Sequence, residues 1–524
     1  MPADTEVSEI GATAAAGEAG ARAGGLDLSR AARSTLWSAL ENGGLALISF
    51  SSLIIYARFL SPAEFGLFSI VLALVELLDV LVSMLFHDAL VQRRQVTPLH
   101  FDTAFTVTLA LGVALFAACW GLAPLFAALV HNGEAAAVLV WTALRLPCTA
   151  LSATIVAEQR RDLAFRVLAF RSLLGRTSGA VLGIALVALG AGVWGLVVQQ
   201  ILIALIGSLV LWTGADRRPR LRFSVAALCE LISFGAYAMG GLFLNFAVKR
   251  IFTIVAGVRL GAQAAGYLNI AFRAVDVLWA IAATAVGQVA LPVLARMQAD
   301  PARVKSAYRS AVELTCFVLF PCFWGIALCA PEVVELLFGA RWLTSSATVV
   351  ALALLTTVQA PRLLITPTLN AVGRPREPLI GLAIELAISI GCLLALGRPV
   401  LSLSMAVAIW IARELSAAPV MALVLARATG IGLRDQLARV GAPLAAAGAM
   451  ALALLGLRQL LPAEWAPAAR LAALAPSGAA VYLAAAWSVD AAPLRRLAAF
   501  LASVARPPRG ARAPLDASAG AQGE

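Results

Sequence analysis

Long apolar runs separated by short polar segments dominate the pattern of this chain. A membrane-spanning helix needs about 20 mainly apolar residues, and runs of that length recur along most of the sequence. The pattern predicts an all-α polytopic membrane protein with about fourteen transmembrane helices. The predicted ranges are 34–57, 64–86, 104–130, 135–157, 172–190, 192–213, 229–257, 264–291, 309–330, 345–370, 378–397, 400–424, 440–461 and 467–489. Residues 1–33 and 495–524 have no such run, and we expect them to be disordered cytoplasmic tails.

Composition and charge agree with this picture. Of 524 residues, 61% are hydrophobic and only 13% charged, and the mean hydropathy is +0.89, whereas soluble domains carry about 25% charged residues. The net charge is +11, and the basic residues concentrate in alternate connections, which predicts N-in and C-in orientation in the inner (plasma) membrane. In that orientation the outer segments contain few basic residues, namely Arg58, Arg259, Arg341, Arg398, Arg458 and Arg470. The basic charge is thus an orientation signal, and we expect no nucleic-acid partner.

Two phrases of the sequence resemble each other, RFLSPAEFGLFS at 58–69 and RLGAQAAGYLNI at 259–270. At an offset of 200 residues, Leu60 aligns with Leu260, Gly66 with Gly266 and Glu76 with Asp276. A second similarity pairs Ala123-Pro124, predicted to end the third helix, with Ala330-Pro331, predicted to end the ninth. The repetition predicts two parallel six-helix lobes, 34–213 and 229–424, followed by an extra helix pair at 440–489. Helix-hairpin patterns shared without duplication are the alternative explanation.

Several stretches between residues 30 and 425 carry a resemblance to a known family. They are RFLSPAEFGLFSIVLAL (58–74), ALVQRR (89–94), RRDLAFRVLAFRSLLGRTSGAVLGIALVALGAGVWGLVVQQI (160–201), RLGAQAAGYLNIAFRAVDVL (259–278) and ALPVLARMQ (290–298). The chain resembles the O-antigen type (Wzx-like) polysaccharide flippases, within the superfamily that also holds multidrug extruders. The resemblance implies a MATE-like fold and alternating-access transfer of polyprenyl-diphosphate-linked oligosaccharides to the outer leaflet, for polysaccharide or lipopolysaccharide biosynthesis. Lipid-linked oligosaccharide and membrane lipids are then the expected partners, with a polysaccharide polymerase complex as a further one.

Basic residues inside the predicted spans are candidates for a binding site, because an intramembrane charge is costly and normally faces a cavity or a partner. From a rise of about 1.5 Å per residue, Arg145, Lys249, Arg250 and Arg273 lie at one level in the outer half of the bilayer. Asn245 precedes Lys249 by one turn. Arginine offers a bidentate fork and lysine a point charge to phosphates. These five residues are the predicted substrate-binding set for diphosphate and glycan. Pairing of Arg273 with Asp276, or snorkelling to the surface, would instead give them structural roles.

The intramembrane carboxylates are predicted to lie elsewhere. Counting residues from the predicted helix ends puts Glu41, Glu76 and Asp79 in the inner half of the bilayer and Asp276 near its middle. Buried carboxylates of this kind can carry a coupling proton or hold Na⁺, and we predict such a role for these four. Structural ion pairs are the equally weighted alternative.

Motifs for other chemistry are missing from the sequence. It contains no GxSxG elbow, phosphate-binding Walker loop or HExxH motif, and its three histidines are scattered. We expect no metal site, cofactor or enzymatic activity. The prediction is a flippase; the alternatives are an ion-coupled drug or metabolite antiporter of the same superfamily and a membrane glycan polymerase or ligase.

Overall fold

The computed structural model describes residue 37 and residues 40–214, 217–297, 300–395, 402–462, 464–491 and 494–495. Helices make up most of these residues, and no strand occurs among them. We number the long helices in chain order: α1 Leu40–Phe59, α2 Pro62–Gln92, α3 Pro98–Val130, α4 Glu134–Arg161, α5 Phe165–Ala188, α6 Trp194–Gly214, α7 Val225–Leu260, α8 Ala262–Arg296, α9 Pro301–Leu328, α10 Ala340–Ala371, α11 Pro378–Ala395, α12 Leu403–Thr429, α13 Gly441–Leu460 and α14 Pro467–Val489. The short helices Ala330–Phe338 and Leu433–Leu437 precede α10 and α13.

Each predicted span overlaps one of these helices; residues 34–36, 38–39, 396–397 and 400–401 of the predicted ranges lie outside the described residues. Within the described part of the chain, 13 candidate spans are long and apolar enough to cross a membrane. The helix α7 is not among them, but its 36 residues give it a length of about 54 Å, which exceeds the bilayer core. The predicted all-α polytopic class is confirmed, while the count of fourteen stays a prediction. The predicted tails lie outside the described residues, except Arg495.

By their internal contacts the residues form two compact units. The first comprises Met1–Ala282, Ala330–Leu355 and Pro375–Met421, and the second Ala283–Cys329, Thr356–Arg374 and Ala422–Glu524. In the first, α5 packs along α6, and α7 packs against both α2 and α11. In the second, α13 and α14 pack on each other and on α9, where the Tyr482 hydroxyl donates to the Phe317 carbonyl at 2.8 Å. The predicted lobes, 34–213 and 229–424, were defined by sequence repetition, whereas these two units are defined by contacts. The lobes therefore stay a prediction.

The turn before α2 forms as its sequence predicts. Ser61 and Glu64 make a capping box: the Glu64 amide donates to the Ser61 hydroxyl at 3.2 Å, and the Ser61 amide donates to the Glu64 carboxylate at 2.9 Å. Pro62 occupies the first helical position, where its missing N–H costs nothing. The buried Trp342 donates its indole N–H to the Ala57 carbonyl at 2.8 Å and so holds the turn in place.

The two similar phrases contact each other directly. A Cβ placed on Gly66 would overlap the carbonyl oxygen of Ala262 and lie 2.7 Å from the amide nitrogen of Gly266. A Cβ on Gly266 would overlap the carbonyl oxygen of Pro62. Residues 62 and 262 are separated by the same interval as the two glycines, so the contact is reciprocal, as in an isologous interface. This reciprocity is what a two-fold axis between repeats would produce at this point.

The predicted end of the third helix at Pro124 is wrong. Pro124 lies inside α3, which continues to Val130, whereas Pro331 lies in the short helix that begins after α9 has ended at Leu328. A proline removes one backbone donor, but a helix in a membrane protein tolerates this where neighbouring groups satisfy the freed carbonyl. Pro124 therefore does not end the third helix, whereas Pro331 follows the end of α9 closely.

Candidate functional site

The first predicted cation lies at a break in α4. The regular helix is interrupted between Ala143 and Arg145, and the Arg145 guanidinium extends toward two other helices. Its Nη2 donates to Asp79 Oδ2 of α2 at 3.0 Å, and its Nη1 donates to Gln200 Oε1 of α6 at 2.9 Å. The two charged side chains are only 15% and 16% exposed. This contact joins three helices of the first unit through one polar centre.

Two adjacent residues of α7 hold the two carboxylates that align in the repeat. Arg250 Nη2 lies 2.6 Å from Glu76 Oε2 of α2, and Lys249 Nζ forms an ion pair with Asp276 of α8. The Lys249 ammonium also lies 4.6 Å from the centre of the Phe272 ring, a cation–π distance. Three of the predicted cations are therefore bound to three of the predicted acids.

The predicted separation of cations and acids into two levels is thus wrong. The estimate counted residues from predicted helix ends, but α2 begins at Pro62 and continues to Gln92, beyond its predicted range. A long arginine side chain also places its charge well away from its own Cα. Charged groups whose Cα atoms lie at different heights along neighbouring helices can therefore meet. Glu76, Asp79 and Asp276 are ion-pair partners, as the alternative prediction for these acids had it.

Two arginines near these pairs have no carboxylate of their own. Arg273 of α8 is half-buried and has no hydrogen bond or ion pair within the described residues. Arg176 of α5 lies within electrostatic range of Arg145, Arg273 and Glu76; its Nε is buried with no acceptor in the described part of the chain. We call the following set the cation cluster: Arg145, Arg176, Lys249, Arg250 and Arg273.

Sequence reasoning missed Arg176 because basic residues near the start of the fifth span were assigned to the cytoplasmic segment. The helix begins at Phe165, so Arg176 lies eleven residues, or about 16 Å, inside it. The signal was present in the sequence, since the predicted start at 172 already placed Arg176 within the span. The missed residue makes the excess of positive charge larger.

The remaining predicted residues lie outside these pairs. Asn245 is exposed, one turn before Lys249 on α7. Glu41 of α1 is half-buried and lies within electrostatic range of Arg171 of α5. In the residues that the structure describes, no group of three or more His, Cys, Asp or Glu side chains could hold a metal ion.

A family model described as "Polysaccharide biosynthesis protein" matches residues 55–347. The match covers more than half of the chain and includes the whole cation cluster. The chain belongs to this family.

Two relatives are similar to this chain along part of their length. The succinoglycan biosynthesis transport protein ExoT of Rhizobium meliloti (strain 1021) is 28% identical over 344 residues, which are 65% of this chain and 69% of the relative. The lipopolysaccharide biosynthesis protein WzxC of Escherichia coli (strain K12) is 23% identical over 312 residues, which are 58% of this chain and 63% of the relative. The second alignment thus leaves more than a third of the relative unmatched.

Solved structures share the fold. The lipid II flippase MurJ, in an inward closed conformation, superposes with a TM-score of 0.68 at 15% identity over 88% of this chain and all of that one (100%). An inward-facing multidrug resistance MATE family transporter of the MOP superfamily superposes with a TM-score of 0.57 at 17% identity, over 74% of this chain and 95% of that one. At these identities the similarity establishes a MurJ- and MATE-like fold and leaves the substrate open.

Proposed function

We propose that this protein is a flippase. In this proposal it moves a polyprenyl-diphosphate-linked oligosaccharide from the cytoplasmic to the outer leaflet by alternating access, in polysaccharide or lipopolysaccharide biosynthesis. The observation that carries the proposal is the surplus of positive charge in the cation cluster: Arg176 and Arg273 remain after Glu76, Asp79 and Asp276 have each engaged a cation.

The chemistry of the cluster favours a phosphate ligand. A guanidinium inside a membrane protein needs water, a carboxylate or a bound anion to offset its desolvation. A diphosphate carries more than one negative charge and accepts bidentate hydrogen bonds from arginine forks. Two arginines without carboxylate partners match this requirement, and the exposed amide of Asn245 adds a donor and an acceptor for sugar hydroxyls.

The relatives support the class of substrate. ExoT is a transport protein of succinoglycan biosynthesis, WzxC a protein of lipopolysaccharide biosynthesis, and MurJ a lipid II flippase. A drug antiporter of the MATE type would share the fold, but the surplus charge in this cluster is positive, whereas cationic drugs call for acidic partners. Membership of a biosynthetic family also favours the flippase over that alternative.

For ion coupling we propose Glu41 before the three paired acids. A proton or Na⁺ that binds Glu76, Asp79 or Asp276 has to displace a cation already in contact with that carboxylate. Glu41 has no ion pair of this kind in the described part of the chain, and it lies within electrostatic range of Arg171. A dependence of transport on a proton or sodium gradient that Glu41→Gln abolishes would support this assignment.

The membrane orientation is proposed as N-in and C-in, in the inner (plasma) membrane. Reporter enzymes fused at Gly133 and Gly192 should be active on the outer side, and those fused at Pro219 and Pro375 on the cytoplasmic side. An exchange of side between these two pairs would overturn the orientation and, with it, the placement of the repeated turns on the outer face.

A polysaccharide polymerase complex is the proposed downstream partner.

Transport itself can be measured with the purified chain in vesicles. A polyprenyl-diphosphate-linked oligosaccharide is placed in both leaflets, and an external glycosidase cleaves only the outward-facing sugars. With the protein present we expect cleavage to pass from about half of the substrate to nearly all of it. Cleavage that stops at the outer-leaflet fraction, as in protein-free vesicles, would contradict the proposed function.

A further inference from the structure

The connection between α6 and α7 is fixed to the first three turns of α3. The side chain of Asp102, only 2% exposed, accepts from Arg217 Nη2 at 2.7 Å and from the Arg220 amide at 3.1 Å. Farther along, the Thr106 hydroxyl shares its proton between the Asp102 carbonyl at 2.8 Å and the Arg222 carbonyl at 3.0 Å, and the Ser224 amide donates to the Thr103 hydroxyl at 3.2 Å. The segment 217–224 therefore has a defined position at one end of the helix bundle, rather than being a free loop.

This segment closes one end of an apolar groove along α3. The Arg222 amide donates to the Arg220 carbonyl at 2.9 Å, which makes a tight turn centred on Leu221. The groove has a volume of about 490 Å³, and its walls are Leu221 together with Thr106, Leu109, Ala110, Val113, Ala114 and Ala117. Three alanines leave the space that larger side chains would fill.

The dimensions of the groove match part of a lipid. From Thr106 to Ala117 the helix rises by about 16 Å, close to the roughly 15 Å of hydrocarbon in one leaflet. Ala110, Val113, Ala114 and Ala117 are exposed, so the groove is shallow and open along the side of α3. One acyl chain, lying along α3 with its headgroup at the segment 217–224, would occupy it from end to end.

The polar end of the groove is strongly basic. Arg218, Arg220 and Arg222 are all exposed, and their side chains have no hydrogen bond or ion pair with any described residue. Arg220 and Arg222 flank Leu221, which lines the groove, and Phe223 beside them is 55% exposed. Basic residues at a membrane surface attract anionic headgroups, while the apolar side chains between them enter the boundary of the acyl chains.

We propose that this groove is a binding site for one anionic phospholipid, with an acyl chain along α3 and the phosphate at the three arginines. The site is separate from the cation cluster and does not depend on the proposed function. Free phosphate would leave the apolar part of the groove unused, and a zwitterionic lipid would leave the arginines without a net charge to match.

The test is the retention of lipid by the full-length chain. The protein is purified, equilibrated with equal amounts of phosphatidylglycerol and phosphatidylcholine, and stripped with increasing detergent before native mass spectrometry. We expect one phosphatidylglycerol to remain, preferred over phosphatidylcholine by about tenfold or more. The triple variant Arg218→Gln, Arg220→Gln, Arg222→Gln should lose this preference, and Ala114→Phe, which fills the groove without changing charge, should lose the retained lipid.

Two matched controls separate a built site from general effects. The triple variant Arg94→Gln, Arg166→Gln, Arg434→Gln removes the same charge from exposed positions elsewhere, and Ala118→Phe adds the same ring beside the groove; both should retain the lipid. Equal loss in either control would overturn the proposal. So would equal retention of phosphatidylcholine, a normal result with Ala114→Phe, or displacement of phosphatidylglycerol by a polyprenyl phosphate. Thermal melts identify any unfolded variant, and if the arginine triple unfolds, Ala114→Phe decides.

Discussion

Replacing Arg176 and Arg273 together with glutamine is expected to abolish transport of the lipid-linked oligosaccharide while leaving the protein folded. Neither arginine has a carboxylate partner in the described part of the chain, so the change leaves no acid unpaired and removes two half-buried positive charges that are costly without an anion. We expect export to fall by at least about a hundredfold, since hydrogen bonds to charged groups contribute roughly 1.5–3 kcal/mol each. The vesicle assay with external glycosidase measures this directly.

A matched control is the pair Arg94→Gln and Arg166→Gln, two exposed arginines outside the cluster, which should transport normally. Replacing Lys249 and Arg250 is a less specific test, because it leaves Glu76 and Asp276 without their cations and lowers stability as well. Normal transport by the Arg176, Arg273 variant would refute a diphosphate site in the cation cluster. Loss of both transport and folded protein would show that the two arginines have a structural role.

Introducing a methyl group at Gly66 should strongly destabilise the protein. The new Cβ would overlap the Ala262 carbonyl oxygen, and because the obstacle is backbone, α2 and α8 have to move apart. Overpacking of this kind costs about 1–3 kcal/mol or more. Gly266→Ala should have a similar effect through the Pro62 carbonyl, and the double variant should lose much less than the sum, since the first substitution has already separated the helices. Thermal unfolding in detergent measures all three.

Gly121→Ala provides the comparison, because a Cβ there meets no atom within 4 Å. Its unfolding temperature should equal that of the unsubstituted protein or exceed it slightly, since alanine favours the helix. If Gly66→Ala unfolds at the same temperature as Gly121→Ala, the close approach of the two turns is not a feature of the folded protein. Strict additivity of Gly66→Ala and Gly266→Ala would likewise contradict a shared contact.

The helices could be predicted from the sequence because a membrane imposes a length on every apolar run. The start of α2 was predictable for a local reason, since Ser61, Pro62 and Glu64 satisfy the first backbone donors on their own. The close packing at Gly66 and Gly266 could be suspected from the sequence, because glycines at matching positions of a repeated phrase suggest close approach of the backbone. Pro124 misled because a proline was taken to end a helix, whereas α3 continues beyond it.

The ion pairs could not be predicted in the same way. Arg145, Lys249, Arg250 and Arg273 were identified because a charge inside an apolar run is visible in the sequence. Which acid each cation engages depends instead on how α2, α4, α7 and α8 lie side by side, and no local pattern encodes this. Arg176 was missed for a different reason. The predicted fifth span already contained this arginine, but it was assigned to the cytoplasmic segment by the rule that basic residues concentrate on that side.

The reciprocal contact of Gly66 and Gly266 has a consequence for the origin of the chain. Because each side presents the same atoms to the other, a protein half this size, containing only the first phrase, could form the contact with an identical molecule. Joining two such genes would preserve the interface and then free each half to change independently. Under such an origin, differences such as Glu76 held by Arg250 and Asp276 held by Lys249 would have to arise after the joining, because two identical chains could not acquire them separately.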